Sequence, residues 1–176
     1  EFKRDFFKNT KQSNLLIKNQ NIDFFSMKNS SIFDRISLQL KELCAYIYYV
    51  NRNGVNNFYT IRWRHYLARS LSPVIKLINK SPFIRNHILL PLIIKISPFI
   101  FKRRSIKKQL KELNITKVIC TSVNLRFSTE EFYAASANSL GIPVFYNVLT
   151  WDNLSTKSIF LNRISRVYCW NESQRN

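Results

Sequence analysis

Apolar residues near the carboxyl end of the chain fall in short runs, each followed by a polar cluster. Val118, Ile119 and Cys120 are consecutive apolar positions, the pattern of a parallel strand buried on both faces. Residues 144–149 and 167–170 repeat that pattern. Between the first two runs, Ser128, Thr129, Glu130 and Glu131 fit a capping box. In it the Ser128 hydroxyl accepts from the Glu131 N–H, and the Glu131 carboxylate reaches back to the cap amide. Phe132, Ala135 and Leu140 share a helical face, with Ala134 and Ala137 small enough for close packing, which predicts a helix over 129–140. Gly141 supplies the left-handed stop, and Pro143 stands near the start of the next strand. The unit reads as one right-handed β-α-β crossover. Three such runs predict a doubly wound α/β sheet, whose ligands sit beyond the carboxyl ends of the strands.

That geometry has a chemical consequence. Thr121, Ser122 and Asn124 should emerge beside Thr150, Trp151, Asp152 and Asn153. Asp and Asn side chains accept from sugar hydroxyls or shape a turn, Trp offers a flat face, and Lys157 offers a positive charge for a phosphate. The competing reading is structural: Asp152-Asn153 is common turn chemistry, and Trp151 can close the sheet edge. Asn171 can cap a helix after the third strand. Glu172 is then either a site carboxylate or a solvated first-turn residue.

The front of the chain has a different periodicity. Residues 31–50 predict an amphipathic helix carrying Ile32, Phe33, Ile36, Leu40, Leu43 and Ile47. Residues 62–80 and 84–111 predict helices broken near Pro82, Pro91 and Pro98. Residues 1–11 suit a helix and 22–27 a strand. No internal repeat or Gly/Ser/Pro-rich linker divides the 176 residues. The expectation is a single domain with a helix-rich section over 1–111 and a β-α-β-loop-β core over 112–176. The stretch 88–101 is strongly apolar. It falls short of the roughly 20 residues a spanning helix needs and is interrupted by Lys95 and two prolines, so it is not read as transmembrane.

Charge changes the picture in this front section. Between residues 43 and 111 there is no Asp or Glu, yet fourteen Lys and Arg occur, and most of the chain's +18 lies there. Basic clusters beside an apolar helix suit an anionic membrane surface, at about 1 kcal/mol per cation, with Lys102, Arg103, Arg104, Lys107 and Lys108 as the candidate contacts. Nucleic acid is a weaker partner, because the aromatic residues belong to apolar patterns rather than to an RNA-binding motif. The bland alternative is compositional: an AT-rich coding sequence inflates Lys, Ile, Asn and Phe together, and an acidic domain elsewhere would balance the charge.

Several chemistries are excluded or disfavoured. With only Gly54 and Gly141, neither a G-x-G-x-x-G nor a P-loop can exist in this sequence. Cys44, Cys120 and Cys169 are far apart and read as reduced core thiols of a cytosolic protein. His65 and His87 lack nearby carboxylates or cysteines and make poor metal ligands.

A resemblance follows from the motif Trp151-Asp152-Asn153-Leu154-Ser155-Thr156-Lys157 and, downstream, a strand ending Trp170-Asn171-Glu172-Ser173-Gln174-Arg175. Together with the strand-helix-Gly-Ile-Pro unit, these resemble a family of bacterial surface-polysaccharide proteins. The family is glycosyltransferase-like, with the GT-B fold, and is related to CDP-glycerol glycerophosphotransferases and UDP-N-acetylglucosamine 2-epimerases. Its members commonly read Ser-Trp-Asp-Asn-Leu-Thr-x-Lys-Gly and then Val-Trp-Asn-Glu-x-Gln-Lys. The likeness covers about a third of the chain. Thr150 replaces the usual Ser and Ser158 the usual Gly.

The resemblance implies a Rossmann-like parallel sheet with flanking helices, forming the amino-terminal, acceptor-side domain of a two-domain protein. The nucleotide-activated donor would be held mainly by the second domain, so no cofactor or metal is expected here. A start at Glu1 and an end at Asn176, where a new helix should begin, suit a truncated domain. Substrate contacts would come from Thr121, Ser122, Asn124, Trp151, Asp152, Asn153, Thr156, Lys157 and Asn171. Asp152 and Glu172 are the carboxylates available for catalysis, with no general base assigned. The acceptor would be a glycan or lipid-linked glycan, and the protein would work in the cytoplasm, peripheral to the cell membrane. A nucleotide-sugar 2-epimerase on the same fold and a non-catalytic basic membrane-binding module are the alternatives.

Overall fold

The computed structural model describes residues 31–126, 128–150 and 157–169. They form a mixed α/β structure, mostly helical, around a small parallel sheet. The expected helix over 1–11, the strand over 22–27, Trp151, Asp152, Asn153, Thr156, Trp170, Asn171 and Glu172 lie outside the described residues.

Helix α1 spans Ile32–Asn53. Its start is fixed by a capping box: Asp34 N–H donates to Ser31 Oγ at 3.1 Å, and Ser31 N–H donates to Asp34 Oδ2 at 2.9 Å. The middle of α1 is buried all round, with Leu43, Cys44, Ala45, Tyr46 and Ile47 inside. Its first turn differs from the amphipathic expectation, since Ile32, Phe33 and Ile36 are exposed. Helix α2 (Phe58–Tyr66) packs against α1, and a 3₁₀ turn (Arg69–Leu71) leads into α3 (Ser72–Lys80).

A π turn (Ile84–Leu89) runs directly into α4 (Leu90–Phe101), which packs against α1. Of the expected breaks, only the one at Pro82 separates two helices. Pro91 sits just after the junction of the π turn and α4, within one continuous helical stretch that it does not interrupt. Pro98 lies inside α4 and orphans the carbonyl of Ile94, four residues earlier. The Ser97 hydroxyl donates to that carbonyl at 2.9 Å, which lets the helix continue. Helix α5 (Arg104–Glu112) follows.

The sheet consists of β1 (Val118–Cys120), β2 (Val144–Asn147) and β3 (Arg166–Tyr168), all parallel in the order β1-β2-β3. Val118, Ile119 and Cys120 stand opposite Val144, Phe145 and Tyr146, and Phe145 to Asn147 stand opposite Arg166 to Tyr168. Helix α6 (Glu130–Asn138) connects β1 to β2 and packs on both. It ends as expected at Gly141, with φ +73°. Ile142 N–H donates to Ala137 O, and Gly141 N–H donates to Asn138 O.

The sheet departs from the expectation of burial on both faces. Cys120, Val144 and Tyr146 face α6 and are buried, whereas Ile119 on the other face is 68% exposed. Phe145 and Tyr168 lie on that second face, their rings 6.0 Å apart. Among the described residues, helices cover one face only. A run of consecutive apolar residues therefore did not mean two buried faces here.

Candidate functional site

The candidate site is the rim beyond the carboxyl ends of the strands. After β1 the chain turns through Ser122 to Leu125, where Leu125 N–H donates to Ser122 O. The turn is held from beneath by Lys41 of α1, whose ammonium is fully buried and donates to the carbonyls of Val123 and Leu125. Lys41 also pairs with Glu131 at 3.2 Å, both side chains being wholly inaccessible. Asn162 donates to the other Glu131 oxygen at 2.6 Å. A buried ion pair of this kind is weak evidence of net stabilisation, but losing one partner strands the other's charge.

This arrangement corrects the expected capping box. Glu131 turns inward to Lys41 and does not reach back to the cap. Thr129, not Ser128, is the cap residue of α6. Glu130 takes the outward role: its carboxylate accepts from Thr121 N–H at 2.8 Å and Ser122 N–H at 2.7 Å. The Thr121 hydroxyl adds a third contact at 3.3 Å. Two backbone amides aimed past a strand end, beside a helix N-terminus, would suit an anion. In this fold an internal carboxylate already occupies them.

Asn124 is also used internally. It is almost wholly buried, accepts from Tyr146 Oη at 2.6 Å, and its carbonyl accepts from Ser158 N–H at 2.8 Å. That corrects its expected role from substrate contact to support. Ser122 Oγ lies 3.3 Å from Ser128 Oγ. Lys157 is half-buried, and its carbonyl accepts from Tyr49 Oη at 3.0 Å. Tyr49 is sandwiched between Tyr59 and Trp63, at 5.9 and 5.8 Å. Burial is the main cause that pushes its phenol above the usual range.

Both flanks of the Trp151–Thr156 segment are thus at the rim. Thr150 follows Val148, whose N–H donates to Tyr168 O, and Ser158 is bonded to the turn after β1. Thr121 and Ser122 follow β1 directly, while Thr150 and Lys157 border the Trp151–Thr156 segment. Sequence reasoning missed Lys41 and Glu130 and gave Glu131 a capping role, because nothing local distinguishes a lysine that runs inward from one that is solvated.

The basic section is less uniform than its charge suggests. Arg103 leaves the membrane-facing set. Its guanidinium pairs with Asp34 at 2.7 Å, donates to the carbonyl of Ile100, and lies over the rings of Phe33 and Phe132. Lys102 and Arg104 are exposed, Lys107 is half-buried, and Lys108 pairs with Glu112 at 3.5 Å on the surface. The continuous helical stretch Ile84–Phe101 is long and apolar enough to cross a membrane by length and composition, and 22% of it is buried. Ile88, Leu92, Ile94 and Phe99 are exposed along it, and Phe83 is exposed just before it. Among the described residues no group of three or more His, Cys, Asp or Glu could hold a metal ion. No protein family, curated protein or solved structure matches the chain.

Proposed function

We propose that this chain is the acceptor-side, Rossmann-like part of a GT-B-like glycosyltransferase of cell-surface polysaccharide synthesis, working against an anionic membrane. The observation that carries the reading is the bond from Ser158 N–H to Asn124 O. It fixes one flank of the Trp-Asp-Asn segment beside the turn after β1, at the rim where parallel sheets take their ligands. The motif resemblance supplies the sugar-transfer chemistry.

Roles follow from what the rim leaves available. Glu130 already holds the amides of Thr121 and Ser122, so a phosphate gains nothing there, and the donor belongs mainly to a second domain. Asp152 and Asn153 would contact acceptor hydroxyls, Trp151 would form a wall, and Lys157 would face anionic groups, with Thr156 and Asn171 beside them. Asp152 and Glu172 are the carboxylates proposed for proton transfer. The test is turnover of a nucleotide-activated sugar onto a glycan acceptor by the full-length protein. Asp152→Ala should lower it about tenfold or more without unfolding. Unchanged turnover in a folded variant removes Asp152 from the mechanism. Release of a free epimerised sugar nucleotide without acceptor would point to the 2-epimerase alternative.

A second reading is favoured by the exposed apolar residues between Phe83 and Phe99 within a carboxylate-free stretch. On that reading the chain is a non-catalytic, basic, membrane-associated module. It predicts liposome binding without any sugar-nucleotide binding by the full-length protein.

A further inference from the structure

Away from the rim, the turn between α2 and α3 opens a cleft of about 670 Å³. That volume is in the range of small-molecule sites. Its lining combines Arg64 and His65 from the last turn of α2, Arg69 from the 3₁₀ turn, and Ser72 at the start of α3. Buried Ile75 contributes an apolar floor, and Ile61, 44% exposed, adds apolar surface. We propose that this cleft binds an organic phosphate whose carbon portion rests on that floor. The proposal does not depend on sugar transfer.

Several other arginines are engaged within the protein. Arg62 donates to Tyr66 Oη, Arg85 to the carbonyl of Ile78, and Arg103 pairs with Asp34. Arg126 lies over the Tyr66 ring at 4.1 Å. Arg64, His65 and Arg69 make no side-chain hydrogen bond or ion pair with any described residue. The cleft itself has no carboxylate lining, and none occurs between residues 43 and 111. Arg64, His65 and Arg69 are exposed around one concave site that has no carboxylate in its lining, and a dianion there would meet a positive potential.

The chemistry favours phosphate. Guanidinium donors form a fork that matches phosphate oxygens, the imidazole carries an N–H in either protonation state, and the Ser72 hydroxyl can donate as well. A nucleic-acid strand would want flat aromatic faces for its bases, and the floor here is aliphatic.

The test uses the whole chain and a soluble probe, dihexanoyl phosphatidic acid, followed by calorimetry or by NMR shifts of the Arg64 and Arg69 side chains. Saturable binding is expected, weakened about tenfold or more in Arg64→Gln/Arg69→Gln. Arg163→Gln/Arg166→Gln removes the same charge at exposed positions elsewhere and should leave the affinity unchanged. Ser72→Asp places an acid at an exposed helix start, where it favours the fold, and should weaken the probe if the double arginine variant fails to fold. Inorganic phosphate binding as tightly as the lipid would overturn the carbon contact, because the floor would then add nothing. Much weaker inorganic phosphate would identify an amphiphile. Three outcomes would overturn the site: no saturable binding, equal weakening by both double variants, or equal affinity for dihexanoyl phosphatidylcholine.

Discussion

Gly141 shows how much a single backbone angle decides. A Cβ there would meet nothing within 4 Å, so alanine costs only the left-handed conformation at φ +73°. Gly141→Ala should lower unfolding free energy by about 1–2 kcal/mol in a urea titration. Asn114 occupies the same role after α5, with φ 51°, Ile115 N–H on Leu110 O and Asn114 N–H on Lys111 O. Its place was hidden in the sequence because Asn serves many purposes, whereas Gly before Ile-Pro serves few. The thiols are separated by environment in the same way. Burial pushes Cys44 up to about 12, and burial helped by Glu130 and Glu131 does the same for Cys120. A disulfide reagent at pH 8 should therefore modify Cys169 rapidly, and the other two only after denaturation.

Asp34 carries a pH dependence. Burial opposes its charge, but the Ser31 amide, Arg103 and the Ser31 hydroxyl together outweigh that and hold the carboxyl below its ordinary 3.8. The folded value being the lower one, this contribution is present above about pH 4. It is lost as the pH falls through the folded value. Melting temperature between pH 5 and 3 should fall less steeply in Asp34→Asn than in the wild type.

Elements meet through contacts that pattern reading cannot supply. Lys41 of α1 and Glu131 of α6 bind the helical section to the β-α-β unit in a fully buried pair. Lys41→Met should cost about 3–5 kcal/mol by leaving the buried Glu131 carboxyl with no cation beside it. Lys41→Met/Glu131→Leu should recover a large part of that loss, as read by a double-mutant cycle in denaturant. From sequence, Glu131 read as the capping carboxylate, with Glu130 beside it unassigned. Which one turned inward depended on a lysine far away in the chain. The β-α-β unit itself was legible because its signals are local: a run of apolar residues, a polar cap, a glycine and a proline. The helix breaks were overread for the opposite reason. Pro98 is a breaker only until the Ser97 hydroxyl takes up the carbonyl it strands.

At the scale of the whole molecule, charge and apolar surface coincide. Phe83 and Phe99 are 65% and 71% exposed, in a section with no acidic residue. The protein should float with vesicles containing phosphatidylserine, less so as salt rises past 0.15 M, where the screening length is about 8 Å. Phe83→Ser/Phe99→Ser should weaken flotation several-fold at constant charge, and unchanged flotation would assign binding to charge alone. Cys120 is buried as the strand pattern implied. Ile119 is not, because three apolar residues in a row specify a strand without saying what lies on its second face.

Trp63 stacks on Tyr49 with planes 10° apart and is 2% exposed, while Tyr49 Oη holds the carbonyl of Lys157. The aromatic stack is thus coupled by one hydrogen bond to the chain that leaves the rim. That makes the protein its own optical probe. Emission of the buried indole would shift in wavelength and lifetime if the carbonyl let go, so an event at the rim could be timed without attaching any label.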